Sequence, residues 1–294
     1  MSVVEVLGRM GGVATRAALI RATSRAAVDA ALACGAITAV ARGRYALASA
    51  DEALVAAHRL SGVVSHESAA IHHGWQVRLP PDRPHVTLAK GRAPAPERRR
   101  GVEVHRIDLG PDDVVGIATS PERTLADCLR TGSFADGLCV ADSALRDGFA
   151  PGRLRAMARD ARGPGSARIR RVAACADGRA ANAFESALRA VALQVPGLCA
   201  VPQVALRART FLGRPDLVDE RLGIVIEADS FAWHGDRAAL ARDARRYNRF
   251  AVHGWLVLRF TWEDVMFQPH EVELVLKAAV AERTERRCRC GTAA

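Results

Sequence analysis

The run Ile224-Val225-Ile226-Glu227-Ala228-Asp229 limits what this chain can fold into more than any other stretch. It reads as a strongly apolar strand closed by two acids. Strand period two puts Glu227 and Asp229 on one face. A carboxylate ending a buried apolar strand is costly unless something partners it. Upstream, residues 213–219 make a second strand candidate, and residues 221–223 make a turn. Ten residues separate Asp216 from Glu227, enough for a strand end, a tight turn and a returning strand. Both carboxylates can therefore meet at one end of a hairpin. Two adjacent carboxylates repel unless a cation sits between them. A hard divalent ion, Mg2+ or Mn2+, takes such oxygen ligands, polarises a phosphate oxygen and lowers the pKa of a bound water. Such a pair can hold the cation of a metal-assisted hydrolysis. The competing reading makes Asp216 and Asp219 plain turn acids.

The rest of this segment reads as a helix over 182–195, with Phe184, Leu188, Val191 and Val195 in one apolar stripe and Glu185 on its shoulder. Glu185 can join a metal site or simply pair with Arg189 at i,i+4. A strand over 200–206 comes before the pair just described. A basic helix over 236–250, a strand over 255–260 and a closing helix over 271–282 come after it. The order is helix, three strands, helix, strand, helix.

That order resembles the core of PD-(D/E)XK nucleases, with Pro215-Asp216 as the first half of the signature and Glu227-Ala228-Asp229 as the second. The runs 226–235, 242–248 and 254–260 are further similar to a family of domains related to very-short-patch-repair (Vsr) endonucleases. The resemblance implies a restriction-endonuclease-like αβββαβ core over 181–294 with Asp216 and Glu227 as metal ligands. Glu185 matches that family's early-helix acid. Asp229 stands where many such enzymes carry lysine, and it is expected as a third acid of the metal site. Lys277 is the remote lysine candidate. His234 is the expected proton-transfer residue, and Arg246 or Arg259 would steady phosphate charge. The stripe Arg242, Arg245, Arg246 and Arg249 is either a solvated face or a track for a DNA backbone.

A length of 294 residues suggests two or three domains. A formal net charge of +10 favours an anionic partner, with nucleic acid first. Nearly all of the positive charge is arginine, whose planar fork suits phosphate; Lys90 and Lys277 are the only lysines. Seven scattered cysteines without a CxxC pair argue against a disulfide framework. The chain has neither an apolar run of membrane-spanning length nor a signal-like start, so a cytoplasmic protein without a membrane partner is expected.

Residues 1–48 read as three short helices and a hairpin tipped by Arg42-Gly43-Arg44. That is the order of a winged helix-turn-helix. Arg21 and Arg25 would approach a groove, and Arg42 and Arg44 would approach phosphates. A small module for protein contacts is the alternative. Residues 49–150 form a central α/β unit, and 151–180 a basic helical linker. His66, His72, His73, His85 and His105 fall in the central unit without a recognisable ligand spacing, so they are expected as core or surface histidines. The winged-helix start, the stretch 65–74 and Thr119-Ser120-Pro121-Glu122-Arg123-Thr124-Leu125-Ala126-Asp127 together resemble the AbiEi-like antitoxins of type IV toxin–antitoxin systems. That resemblance implies autoregulatory DNA binding and a cognate toxin as partner. The chain is thus expected to be a mixed α/β, DNA-binding protein with a Mg2+-dependent endonuclease domain acting on double-stranded DNA. The alternative is a non-catalytic regulator or antitoxin. The sequence leaves the oligomeric state open.

Overall fold

Capping chemistry sets many of the helix starts. Ser2 caps the helix Val3–Arg9 in a reciprocal box with Glu5, Thr15 caps Arg16–Ala22, and Ser24 caps Arg25–Ala33. Each side-chain oxygen accepts from an amide that would otherwise lack an intrahelical partner. A computed structural model of the chain describes residues 2–229 and 237–291. The fold is mixed α/β, with four sheets among the described residues. The chain divides into two units: residues 1–74 with 79–128, and residues 75–78 with 129–294.

The first unit opens with those three helices around Val6, Leu7, Leu19, Val28, Ile37 and Tyr45. The strands Thr38–Ala41 and Arg44–Ala46 form the hairpin, with Gly43 supplying a positive φ of 68° at its tip. Val13–Thr15 adds a third strand on the far edge of Arg44–Ala46, unannounced by any periodic pattern in the sequence. The unit continues as a five-stranded mixed sheet in the order Glu103–Arg106, His85–Leu88, Val63–Val64, Ala118–Thr119, Val114–Val115. Its core includes Val64, Val86, Leu88 and Ala118.

In the second unit the basic stretch 151–180 forms the helices Pro151–Asp160 and Ser166–Cys175, which bury Leu154, Ile169 and Val172. The helix Phe134–Arg146 packs on Ala183–Ala192 through a bidentate bridge: Arg189 Nη2 donates to both oxygens of Asp142 at 2.7 Å, with both side chains buried. Arg189 is therefore Asp142's partner, and Glu185 does not use it. A four-stranded sheet follows, ordered Leu256–Thr261, Ile224–Asp229, Leu217–Asp219, Val201–Pro202. The first two strands run parallel, connected through the helix Arg237–Val252, and the remaining pairs run antiparallel.

The strands expected over 200–206 and 213–219 are each broken in two. Gln203 takes φ +57° after Pro202, and Pro215 stands two residues after Gly213, so neither stretch holds a continuous ladder. Leu206–Arg207 and Phe211–Gly213 form a separate hairpin. The closing helix runs over Pro269–Gly291, longer than the apolar pattern alone indicates. Exposed Arg286–Glu282 and Arg289–Glu285 pairs at i,i+4 lie along its extension. No helix among the described residues is long and apolar enough to cross a membrane.

Candidate functional site

The antiparallel register pairs Leu217 with Ile226 and Val218 with Val225. One step further, that register sets Asp216 opposite Glu227. Val218 and Val225, on the same face, pack with Leu206, Leu212 and Phe250. The two acids therefore stand at the end of an apolar wall, and Glu227 is only 3% exposed. Asp216 Oδ2 accepts from the Ala228 amide at 2.8 Å. Asp216 and Glu227 also share a carboxyl–carboxylate hydrogen bond.

Asp219 behaves differently from Asp216. It is 1% exposed and accepts from the amides of Cys199 at 2.7 Å and Leu222 at 2.9 Å. It is thus the turn acid, while Asp216 faces Glu227.

Glu185 lies in the first turn of Ala183–Ala192, where Asn182 Oδ1 accepts from its amide at 3.0 Å. Its carboxylate, 5% exposed, accepts from Ala181 N at 2.8 Å, Asn182 Nδ2 at 3.0 Å and Gln203 Nε2 at 2.9 Å. The same Gln203 Nε2 reaches Asp216 Oδ1 at 3.4 Å. Glu185 is thereby linked to the pair through Gln203. Nothing in the sequence singles out Gln203; the signal is its left-handed backbone, visible only once the chain is folded.

Burial raises the proton affinity of all three acids. Glu227 rises from its ordinary 4.5 to about 8, through desolvation first and the charge of Asp216 second, with Arg246 opposing. Asp216 rises mainly by desolvation, against the Ala228 amide, and Glu185 rises for the same first reason. Arg246 Nη2 lies 3.5 Å from Glu227 Oε1, yet that oxygen is buried with no hydrogen-bond partner, and Arg246 Nε is likewise unpartnered. Arg246 also donates to the Tyr247 hydroxyl at 3.0 Å and lies over its ring.

Asp229 faces the same side as Glu227 but is engaged by Arg259 in an ion pair. The Arg259 guanidinium stacks 4.3 Å from the centre of the Tyr247 ring. Lys277 pairs with Glu273 at 2.7 Å on the closing helix. Arg242, Arg245, Arg246 and Arg249 line an open groove of about 660 Å³ with Asp243 and Asn248. His234 lies outside the described residues.

In the first unit Arg21, Arg25 and Arg42 are exposed at the surface. Arg44 contacts His58 Nδ1 at 3.2 Å. Its proton affinity is lowered by burial and then by the charges of Arg92 and Arg98. Arg98 reaches the Arg59 carbonyl at 2.7 Å and Arg92 the Ser61 carbonyl at 3.2 Å. Hairpin and loop arginines are thus gathered into one basic cluster.

No protein-family model and no curated protein matches the chain. Among solved structures it is similar to the RV2827C protein from Mycobacterium tuberculosis, at 19% identity and a TM-score of 0.37, over 58% of this chain and 75% of that one. A likeness of that size carries no functional argument.

Proposed function

We propose that the second unit is a PD-(D/E)XK-type nuclease of the Vsr-like branch, dependent on Mg2+ or Mn2+, and that the first unit contributes a DNA-binding winged helix. The observation that carries this reading is the pairing of half-buried Asp216 with buried Glu227, whose Oε1 is unpartnered. A buried carboxylate oxygen left without a donor costs free energy, and a hard divalent cation removes that cost. The donor set therefore fits such an ion, with Asp216 and Glu227 as the residues that would hold it. When bound, the ion supplies positive charge to a phosphate oxygen and acidifies a water.

The chain's own groups prepare that site. Ala228 N–H and Gln203 fix the Asp216 carboxylate, and Glu185 holds Gln203 in turn. Arg246, with its free Nε, stands beside Glu227 where phosphate charge would arrive. The order of helix, antiparallel pair, helix and parallel strand supports the same reading. For the first unit, the three crowded arginines Arg44, Arg92 and Arg98 favour a polyanion, because a phosphate backbone relieves their mutual repulsion.

One observation favours a second reading, a non-catalytic regulator or antitoxin. Asp229 is neutralised by Arg259, and Lys277 is held by Glu273, so no described lysine substitutes at the third signature position. Cleavage separates the two readings. Supercoiled, mismatched and single-stranded DNA are incubated with Mg2+ or Mn2+ and wild type, Asp216→Ala or Glu227→Gln. The nuclease reading expects cleavage by wild type that both substitutions abolish. Salt-dependent binding without cleavage by any of the three would install the regulator reading.

A further inference from the structure

The first unit brings together three histidines that lie far apart in sequence. His85 and His105 sit on the parallel strands His85–Leu88 and Glu103–Arg106, in a register that pairs Thr87 with His105. His85 and Thr87 share a face, so His105 lies diagonally beside His85. His105 Nε2 is 3.1 Å from His85 Nδ1. His66 starts the helix His66–His72 and stacks on His105, with ring centres 3.6 Å apart. One ligand-capable atom from each of the three lies within 4.8 Å of the others.

We propose that His66, His85 and His105 form a binding site for a borderline divalent transition-metal cation of the Zn2+ type, independent of the acid pair in the second unit.

Four features support it. His66 is 1% exposed, and its Nε2 has no hydrogen-bond partner, although an unsatisfied buried ring nitrogen is costly. Its Nδ1 lies 3.0 Å from Ser65 Oγ. Ser65 occupies the N-cap position yet makes no capping hydrogen bond. Its hydroxyl is directed to the imidazole instead, and the tautomer that donates Nδ1–H to Ser65 leaves the Nε2 lone pair available to a metal. His66 also holds φ at +53°, a left-handed conformation costly for a residue with a Cβ, which points to a constraint other than local propensity. Glu67 Oε2, buried without a hydrogen-bond partner, lies 3.4 Å from His85 Nδ1, so a carboxylate oxygen, a ligand type that Zn2+ also accepts, borders the cluster.

Metal ligation needs neutral imidazoles. Burial takes His66 down to about 2 and His105 down to about 4, with the neighbouring histidines adding to both. Other charges at the cluster come from Glu103, which opposes the lowering of His105, and from Arg123, itself held by Asp127 at 2.9 Å. Nitrogen ligands bind Zn2+ at about 2.0–2.1 Å, so ligand atoms in a tetrahedral shell stand roughly 3.3 Å apart. The 3.1 Å between His105 and His85 is already at that spacing. Coordination by both His66 and His105 requires the stacked rings to fan apart, by rotation of the half-exposed His105 side chain on the edge strand of its sheet. Three histidines leave a fourth position for water or another ligand.

The test uses the full chain carrying Cys34→Ser, Cys199→Ser, Cys288→Ser and Cys290→Ser, so that the exposed and C-terminal thiols cannot account for binding. The protein is stripped with a chelator and reloaded with Zn2+ or Co2+. Metal content, the visible d–d bands of Co2+ and the thermal midpoint are then read. The site predicts one Zn2+ per chain, Co2+ bands of a nitrogen-rich shell, and a midpoint raised by Zn2+. His85→Gln and His105→Gln lose all three, and Asp216→Ala keeps them. Because both glutamine variants lie at half-exposed positions, they preserve the test even where His66→Ala does not fold. Retention of less than about one ion in ten chains, or binding unchanged by both glutamine variants, overturns the proposal.

Discussion

Replacing Glu227 by Gln tests the electrostatics of the acid pair apart from any catalysis. In the folded chain Glu227 keeps its proton up to about pH 8, whereas its ordinary value is 4.5. Between those values the folded state binds more protons than the unfolded state, so stability falls as pH rises through the window. At about 1.4 kcal/mol per pH unit, the interval sets a ceiling of about 5 kcal/mol. Water entry and relaxation around an ionised pair bring the measurable part to about 2 kcal/mol. A glutamine in place of Glu227 carries no charge, and its amide can donate to Asp216 as the protonated acid does. In urea denaturation with EDTA present, wild type is expected to lose about 2 kcal/mol or more between about pH 5 and about pH 9. The Glu227→Gln variant is expected to stay nearly flat over the same range and to be the more stable protein at the alkaline end. Parallel pH profiles for the two proteins would refute the reasoning, because they would show that Glu227 carries no buried-charge penalty.

Three further outcomes follow from the geometry. Arg189→Ala strands the buried Asp142 carboxylate and is expected to cost about 3–5 kcal/mol in the same denaturation experiment, far more than an exposed arginine. A Cβ at Gly213 would lie 2.8 Å from Phe250 Cζ, so Gly213→Ala is expected to lower stability by about 1–3 kcal/mol, read as a drop in thermal midpoint. Arg44→Ala, which removes one member of the arginine cluster, is expected to weaken binding across DNA sequences and to reduce the slope of log affinity against log salt by about 1; an unchanged slope removes Arg44 from the phosphate contacts.

The parts of the fold that the sequence announces are those fixed by local chemistry. Ile224–Asp229 is a strand because an apolar run requires it, and the helices after Ser2, Thr15, Ser24 and Asn182 begin where a side-chain oxygen can cap them. The opposition of Asp216 and Glu227 is legible too, since a hairpin of that length leaves few registers. What is not legible depends on tertiary pairing. Gln203 reaches Glu185 and Asp216 only because its backbone turns left-handed after Pro202. Arg189 chooses Asp142, 47 residues away, over the nearby Glu185. Asp229 meets Arg259 because parallel strands bring their side chains to one face. The histidine cluster has no sequence spacing to read, since His66, His85 and His105 are gathered by sheet register and a left-handed turn.

The most direct test of the acid pair is Mn2+ binding near pH 8, measured by electron paramagnetic resonance of free Mn2+ together with proton release into a weak buffer. Wild type is expected to bind one Mn2+ at this site and to release the proton shared by Asp216 and Glu227, while Asp216→Ala and Glu227→Gln lose both signals. Binding with unchanged stoichiometry and proton release in both variants would contradict the assignment of the ion to these carboxylates.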